Sequence, residues 1–417
     1  MINRRELIRL AGAGAFATVT RVVPRAARAA GIASRPRFFL HVIPSGGMDA
    51  IYGADPKTTR EVERGIDVPY AQTTIVGGKH APVGPAFKVL EPWLPRLAIV
   101  NAFRQNSANH QGGLVHVTCC RSSAVTGTPT LFDVLGSRRA ASTKVGAITI
   151  GTAFAAAFSP KYLGAPTREQ FGNLPGLFDH LDSLASHDLG EAAKALRREG
   201  NAAARTSSAQ ATTATNLLDA AALLDGWAAS PKFAPAEWAI EHEAEFHNGR
   251  DIERALWLFE HDLARCVTIG VTGQEFDTHV TNADQLGYST YLANLLARLF
   301  TELDKRTFDG RSLAEQTVVF CGSEIGRFPR LNAANGKDHF PQVSYLFYGS
   351  GLATGRAFGS TDARMVARPV ALASGAADSS GHVLAVDDIG TTLLRLDGAN
   401  PEVYGYTGSH LGFLMGS

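Results

Sequence analysis

Cysteine is scarce in this 417-residue chain, and the four present, Cys119, Cys120, Cys266 and Cys321, show no CxxC or finger-like spacing, which argues against a thiolate zinc site. Cys266 and Cys321 lie in apolar runs and read as small buried hydrophobes. Net charge is also lacking: the formal total is +1, so the balance implies neither nucleic acid nor an anionic membrane as a partner. Nucleotide signatures are absent too, because the Gly-rich stretches at Gly12 to Gly14 and Gly349 to Gly351 carry neither the P-loop lysine nor the dinucleotide spacing. His242 and Glu243 are followed by His247 rather than by a histidine four positions after the first, so the metalloprotease HExxH pattern is missing. The apolar stretch Leu10 to Val19 is too short to span a bilayer, and no stable membrane span is expected in the mature protein.

What is there begins with a charge asymmetry. Arg4, Arg5, Arg9, Arg21, Arg25 and Arg28 stand against Glu6 alone, and the order is basic segment, apolar stretch, then Arg-Ala-Ala at 28 to 30. This is the layout of a signal peptide, with residues 1–30 set apart from the fold. Asn3-Arg4-Arg5-Glu6-Leu7-Ile8-Arg9 resembles the twin-arginine export motif, which implies the twin-arginine machinery as a partner and a periplasmic or secreted location.

Beyond residue 35, short apolar runs alternate with helical patterns. Strands are expected at Pro36 to Ile43, Leu97 to Ala102, Val145 to Ile150, Cys266 to Val271, Thr317 to Cys321 and Val343 to Tyr348. Helices are expected at Phe87 to Trp93, from Leu131, at Asp251 to Ala264, at Asp388 to Leu396, and at Leu286 to Leu303. In the last, Leu292, Leu295, Leu296, Leu299 and Leu303 line one face. Residues 55–85 and 104–130 read as loops. Residues 177–250 read as a helical insertion, broken by a Ser/Thr/Ala linker near 204–213, between the two parts (36–176 and 251–417) of an α/β domain.

Four loops carry the acidic and histidine residues. Asp49 follows the first strand in Gly46-Gly47-Met48-Asp49; Asp277-Thr278-His279 follows CVTIGV; Glu324 follows TVVFC; Asp338-His339 precedes the sixth strand. Strand ends of open parallel sheets are where such folds bind ligands. Carboxylates mixed with imidazoles suit Zn²⁺, Mn²⁺ or Mg²⁺, and two ions could clamp a phosphoryl or sulfuryl oxygen. The plain alternative is that these acids cap helices or face solvent.

RFFLHVIPSGGMDA, CVTIGVTGQEFDTH, TVVFCGSEIGR and GKDHF, in that order, resemble a family of twin-arginine-exported bacterial proteins built around a domain of unknown function. That family is similar to the alkaline phosphatase and sulfatase superfamily. The resemblance implies a three-layer α/β/α sandwich, alkaline-phosphatase-like, with metal ligands at Asp49, Asp277, His279, Glu324 and His339. Asp338 is implied either as a ligand or as the group that orients His339. The chain departs from the pattern where Phe340 replaces a glycine, which is expected to narrow the site, and where Asn109 precedes His110 in place of a serine. Ser107 is then the candidate nucleophile, His110 a candidate for the leaving group or a metal, and Arg327 a candidate anion clamp. Cys119-Cys120-Arg121 lacks the Cys-x-Pro-x-Arg pattern of a formylglycine sulfatase. The leading expectation is a metal-dependent hydrolase of phosphate or sulfate esters, acting on a small-molecule or polymer ester outside the cytoplasm. The alternative is a non-catalytic exported binding or structural protein on the same fold.

Overall fold

A computed structural model describes residues 35–78, 81–125, 128–150, 189–204, 221–271 and 275–416. The proposed signal segment 1–30 and most of the 204–213 break lie outside the described residues.

Seven strands form one sheet: β1 (Phe38–Pro44), β2 (Leu97–Arg104), β3 (Val145–Ile150), β4 (Ala264–Val271), β5 (Thr317–Cys321), β8 (Gln342–Gly349) and β9 (Arg356–Phe358). A separate two-stranded ribbon holds β6 (Gly326–Arg327) and β7 (His339–Phe340). The sheet order is β9-β2-β8-β5-β1-β4-β3. β1 pairs parallel to both β4 and β5, and β3 parallel to β4, whereas β8 runs antiparallel to both β2 and β5.

The central strands are apolar on both faces because both faces are covered. Successive side chains of β1 divide between two cores. Phe38, Leu40 and Val42 join Val267, Ile269 and Val319 on one side, against Leu196 of α3 (Leu189–Ala204), Leu256 of α4 (Asn248–Glu260) and the leucines of α5 (Asp284–Lys305). Phe39 and Ile43 join Val318, Phe320 and Phe347 on the other. There they meet Leu114 of α1 (His110–Cys119), Leu135 of α2 (Leu131–Ser137) and Leu393 of α6 (Val386–Leu396). The result is a three-layer α/β/α sandwich, and α3 with the helical stretch 221–229 packs into the first core. Leu292, Leu295, Leu296, Leu299 and Leu303 are all fully buried, as their spacing requires. Among the described residues, no helix is long and apolar enough to cross a membrane.

Two expectations need correction. Residues 104–130, read as loop, contain the helix α1; Asn109 caps it by accepting from the Gly112 amide at 2.7 Å. The sheet is mixed rather than parallel, because β8 reverses direction. Parallel strands therefore end, and β8 begins, at one common edge.

Close packing depends on Gly136 of α2 lying on Gly146 of β3: a Cβ at Gly136 would stand 2.5 Å from the Gly146 carbonyl carbon. Gly287, in the first turns of α5, has nothing within 4 Å of its Cβ position. Gly136→Ala is expected to destabilise the chain by about 1–3 kcal/mol through overpacking. Gly287→Ala should stabilise it by about 0.5–1 kcal/mol through helix propensity. Urea melts of the two variants check both signs.

Candidate metal centre

The site is built on the shared edge, from the loops after β1, β2, β4 and β5 and from β7. Glycine lets these loops approach one another. Gly47 has φ +96° and its Cβ would meet the Arg327 Nε at 2.9 Å, so only a bare backbone passes the guanidinium. Gly113, in the first turn of α1, lies so close to the Glu324 carbonyl that a Cβ there would be 2.5 Å from its oxygen. That approach places His110, at the start of α1, with its Nδ1 2.7 Å from Glu324 Oε1.

Glu324 is fully buried and its carboxylate is well subscribed. Oε1 also accepts from the Gly46 amide at 2.8 Å, and Oε2 lies 2.8 Å from the Ser323 hydroxyl. Three imidazoles share one pattern. His110 Nδ1 faces Glu324, His279 Nδ1 lies 3.2 Å from Asp338 Oδ1, and His339 Nδ1 donates to the Ala108 carbonyl at 2.7 Å. Acceptors at Nδ1 hold the tautomer that leaves a lone pair on Nε2. All three Nε2 atoms converge on Asp277: His110 at 3.2 Å from Oδ2, and His279 and His339 at 3.2 and 3.5 Å from Oδ1. His279 Nε2 and His339 Nε2 are 2.9 Å apart. Ligand atoms of His110, Asp277 and His339 all lie within 4.8 Å of one another.

Lone pairs and a carboxylate gathered this closely call for a cation, either a proton or a metal ion. Histidine and carboxylate donors in this number fit a single Zn²⁺-like ion. With protons alone, burial would lower His110, but the flanking carboxylates of Asp277 and Glu324 outweigh it and raise its pKa to about 9. Burial opposes ionisation of Asp277, yet His110 and Arg327 hold its carboxyl well below the usual range. Burial, together with the charges of His110, Arg327 and His279, lowers His339 despite its bond to Ala108.

The other residues singled out in the sequence take varied places. The Arg327 side chain is fully buried and donates to the Gly47 carbonyl at 3.0 Å, the Lys337 carbonyl at 2.9 Å, the Gly46 carbonyl, and Asp277 Oδ1 at 2.5 Å. It holds the Asp277 carboxylate rather than facing solvent. Asp49 is brought not to the imidazoles but to Lys337, whose Nζ lies 2.7 Å from its Oδ2; the Ile51 amide and Asn282 also donate to it. Ser107 exchanges hydrogen bonds with Asn109 at 3.2 and 3.3 Å, one residue from the carbonyl that holds His339. Asp338 is largely exposed, and Asn332 donates to it at 3.0 Å. Phe340 is half-buried with its ring edge-on to Phe328, 5.7 Å between centroids, and lines a small cavity with Met48, Asp49 and Arg327.

Lys337 was not singled out from the sequence. Its only signal there was its position directly before Asp338-His339, in a loop where lysines are ordinarily solvated.

A family model described as a protein of unknown function (DUF1501) matches residues 166–414, more than half of the chain. No curated protein matches significantly. Among solved structures, a protein in the alkaline phosphatase superfamily from Vibrio parahaemolyticus is 12% identical, with 97% of this chain and 78% of that one covered and a TM-score of 0.39. The lipoteichoic acid synthase LtaP from Listeria monocytogenes is 7% identical, with coverages of 98% and 82% and a TM-score of 0.38. A sulfatase-type protein from Bacteroides thetaiotaomicron is 9% identical, with coverages of 91% and 74% and a TM-score of 0.34.

The raised His110 pKa gives a pH test on metal-free protein. Its folded value of about 9 exceeds the ordinary 6.5, so the imidazolium contacts stabilise the fold fully below pH 6.5 and are lost as pH rises through 9. Chelator-treated wild type should therefore lose melting temperature across pH 6.5–9 more steeply than His110→Asn. Parallel curves for the two proteins would count against the assignment.

Proposed function

The chain belongs to the DUF1501 family of proteins of unknown function, and we propose that it is a one-ion, metal-dependent hydrolase of phosphate or sulfate esters that works outside the cytoplasm. The observation that carries this reading is the convergence of three Nδ1-anchored imidazoles on the Asp277 carboxylate. The likeness of its motifs to the alkaline phosphatase and sulfatase superfamily supports the choice of reaction. The basic N-terminal segment with Arg4 and Arg5 supports export by the twin-arginine route.

In this reading His110, Asp277 and His339 hold the ion. When bound, a divalent ion supplies Lewis acidity toward an ester oxygen. Glu324 and the Ala108 carbonyl orient the two imidazoles, and Arg327 fixes Asp277 from behind. His279 is the most exposed imidazole of the three. Oriented by Asp338, it holds or moves a proton at Nε2 for the leaving oxygen. Ser107, whose hydroxyl donates to the Asn109 carbonyl, stands on the loop beside the centre as the candidate nucleophile.

One observation favours the second reading, a non-catalytic exported binding protein. Asn109, at the position where the resembling family carries serine, spends its side chain on capping α1.

Metal-loaded protein assayed on a panel of phosphate and sulfate esters should hydrolyse at least one, and chelation or Asp277→Ala should abolish the activity. His279→Gln is expected to slow turnover by about 10²-fold or more while metal content stays unchanged. Metal retained without hydrolysis of any ester would favour the second reading.

A further inference from the structure

The carboxylates and imidazoles of the four loops suit two ions, and the family resemblance places Asp49 among the expected ligands. The structure arranges a second acidic pocket, but its cation belongs to the chain. Lys337 is fully buried; its Nζ lies 2.7 Å from Asp49 Oδ2 and 3.2 Å from Asp67 Oδ2. Asp49 is itself 2% exposed. Its carboxylate also accepts from the Ile51 amide at 3.1 Å on Oδ1 and the Asn282 amide at 3.2 Å on Oδ2. A divalent ion that took Asp49 would have to displace both the ammonium and an amide donor. It would also leave the buried ammonium with only the longer contact to the part-exposed Asp67, which is unfavourable.

We infer that the Lys337 ammonium stands in for a second divalent ion, so that the chain carries one exchangeable metal at His110, Asp277 and His339 and one built-in cation between Asp49 and Asp67. Two carboxylates drawn to one point repel unless a positive charge lies between them, and hard oxygen donors of this kind are those that Mg²⁺ or Mn²⁺ takes when no lysine is present. The tethered ammonium has a mechanical advantage over a free ion. Lys337 is joined through its own carbonyl to Arg327 and through its amide to the Thr278 carbonyl at 2.9 Å, so the pocket and the histidine cluster are set by one segment. Lys337 is thus a positioning residue, with no contact to the reacting atoms. The inference rests on the one-ion centre proposed above, and it is read out by stoichiometry rather than by hydrolysis.

The test is metal titration of the full chain with Zn²⁺ and Mn²⁺, followed by native mass spectrometry and thermal melts. Wild type should take up one equivalent, and Asp49→Asn should still take up one with unchanged affinity. Lys337→Ala should take up two, lose the second again in the Lys337→Ala/Asp49→Asn double variant, and gain melting temperature with Mn²⁺ where wild type gains no more than its single site accounts for. Should Lys337→Ala fold only when refolded with Mn²⁺, that dependence supports the inference; should it fold under no condition, Asp49→Asn decides. Two equivalents in wild type, loss of the ion in Asp49→Asn, or a Lys337→Ala protein that folds, binds one ion and ignores Mn²⁺ would each overturn it. If wild type binds none but Lys337→Ala binds one, the one-ion centre of the proposed function fails while the role of Lys337 stands.

Discussion

A single guanidinium ties the site together. Arg327 reaches three backbone carbonyls and one carboxylate, and those acceptors come from the loop after β1, the loop after β4 and the segment just before β7. Few side chains can do this: arginine offers five donors in a rigid fork and does not lose its charge. Because the side chain is fully buried, its charge must be answered inside the protein, and Asp277 answers it. The same carboxylate is therefore an ion-pair partner on one side and the focus of three imidazoles on the other. The position of Asp277 is set before any ligand arrives.

Around that fixed carboxylate, the imidazoles differ mainly in what lies behind them. His110 is backed by a buried carboxylate, His339 by a neutral carbonyl and His279 by an exposed carboxylate. Burial disfavours the protonated form of both rings; the Asp277 and Glu324 carboxylates outweigh it at His110, which is raised, whereas the charges of His110, Arg327 and His279 add to it at His339, which is lowered. A metal ion and a proton compete for the same lone pairs, so filling the centre with metal would discharge protons. The gradation from buried to exposed also separates the rings by access, with His279 at the mouth.

Much of the sandwich was legible because its strands are buried on both faces and read as unbroken apolar runs, as at Val145 to Ile150 and Thr317 to Cys321. The leucine face of α5 was equally plain. α1 escaped because it is covered on nearly all sides and contains Gly112 and Gly113, which erase both periodicity and propensity; Gly113 is there for the contact with Glu324, and Gly112 for that with Ser107 and Asn109. The reversal of β8 left no mark, since an apolar run is the same in either direction. At the site, the Asp277/His279 and Asp338/His339 pairs stood out by composition. His110 was a candidate as well, but not the helix start that carries it, and composition could not reveal that Asp49 would turn to a lysine. Such pairings depend on loops far apart in the chain meeting over one sheet edge.

The reversed strand has a further consequence. Because β5 leaves the sheet at the site edge and β8 re-enters there, the intervening residues 322–341 never cross the sheet and need no helix to carry them back. This excursion holds Glu324, Arg327, Lys337, Asp338 and His339 in one span. Elsewhere in the sheet, lengthening a connection between parallel strands lengthens a crossover that also packs the core. Here an insertion at the exposed residues 333–335 would extend only the mouth of the site and leave the sandwich untouched.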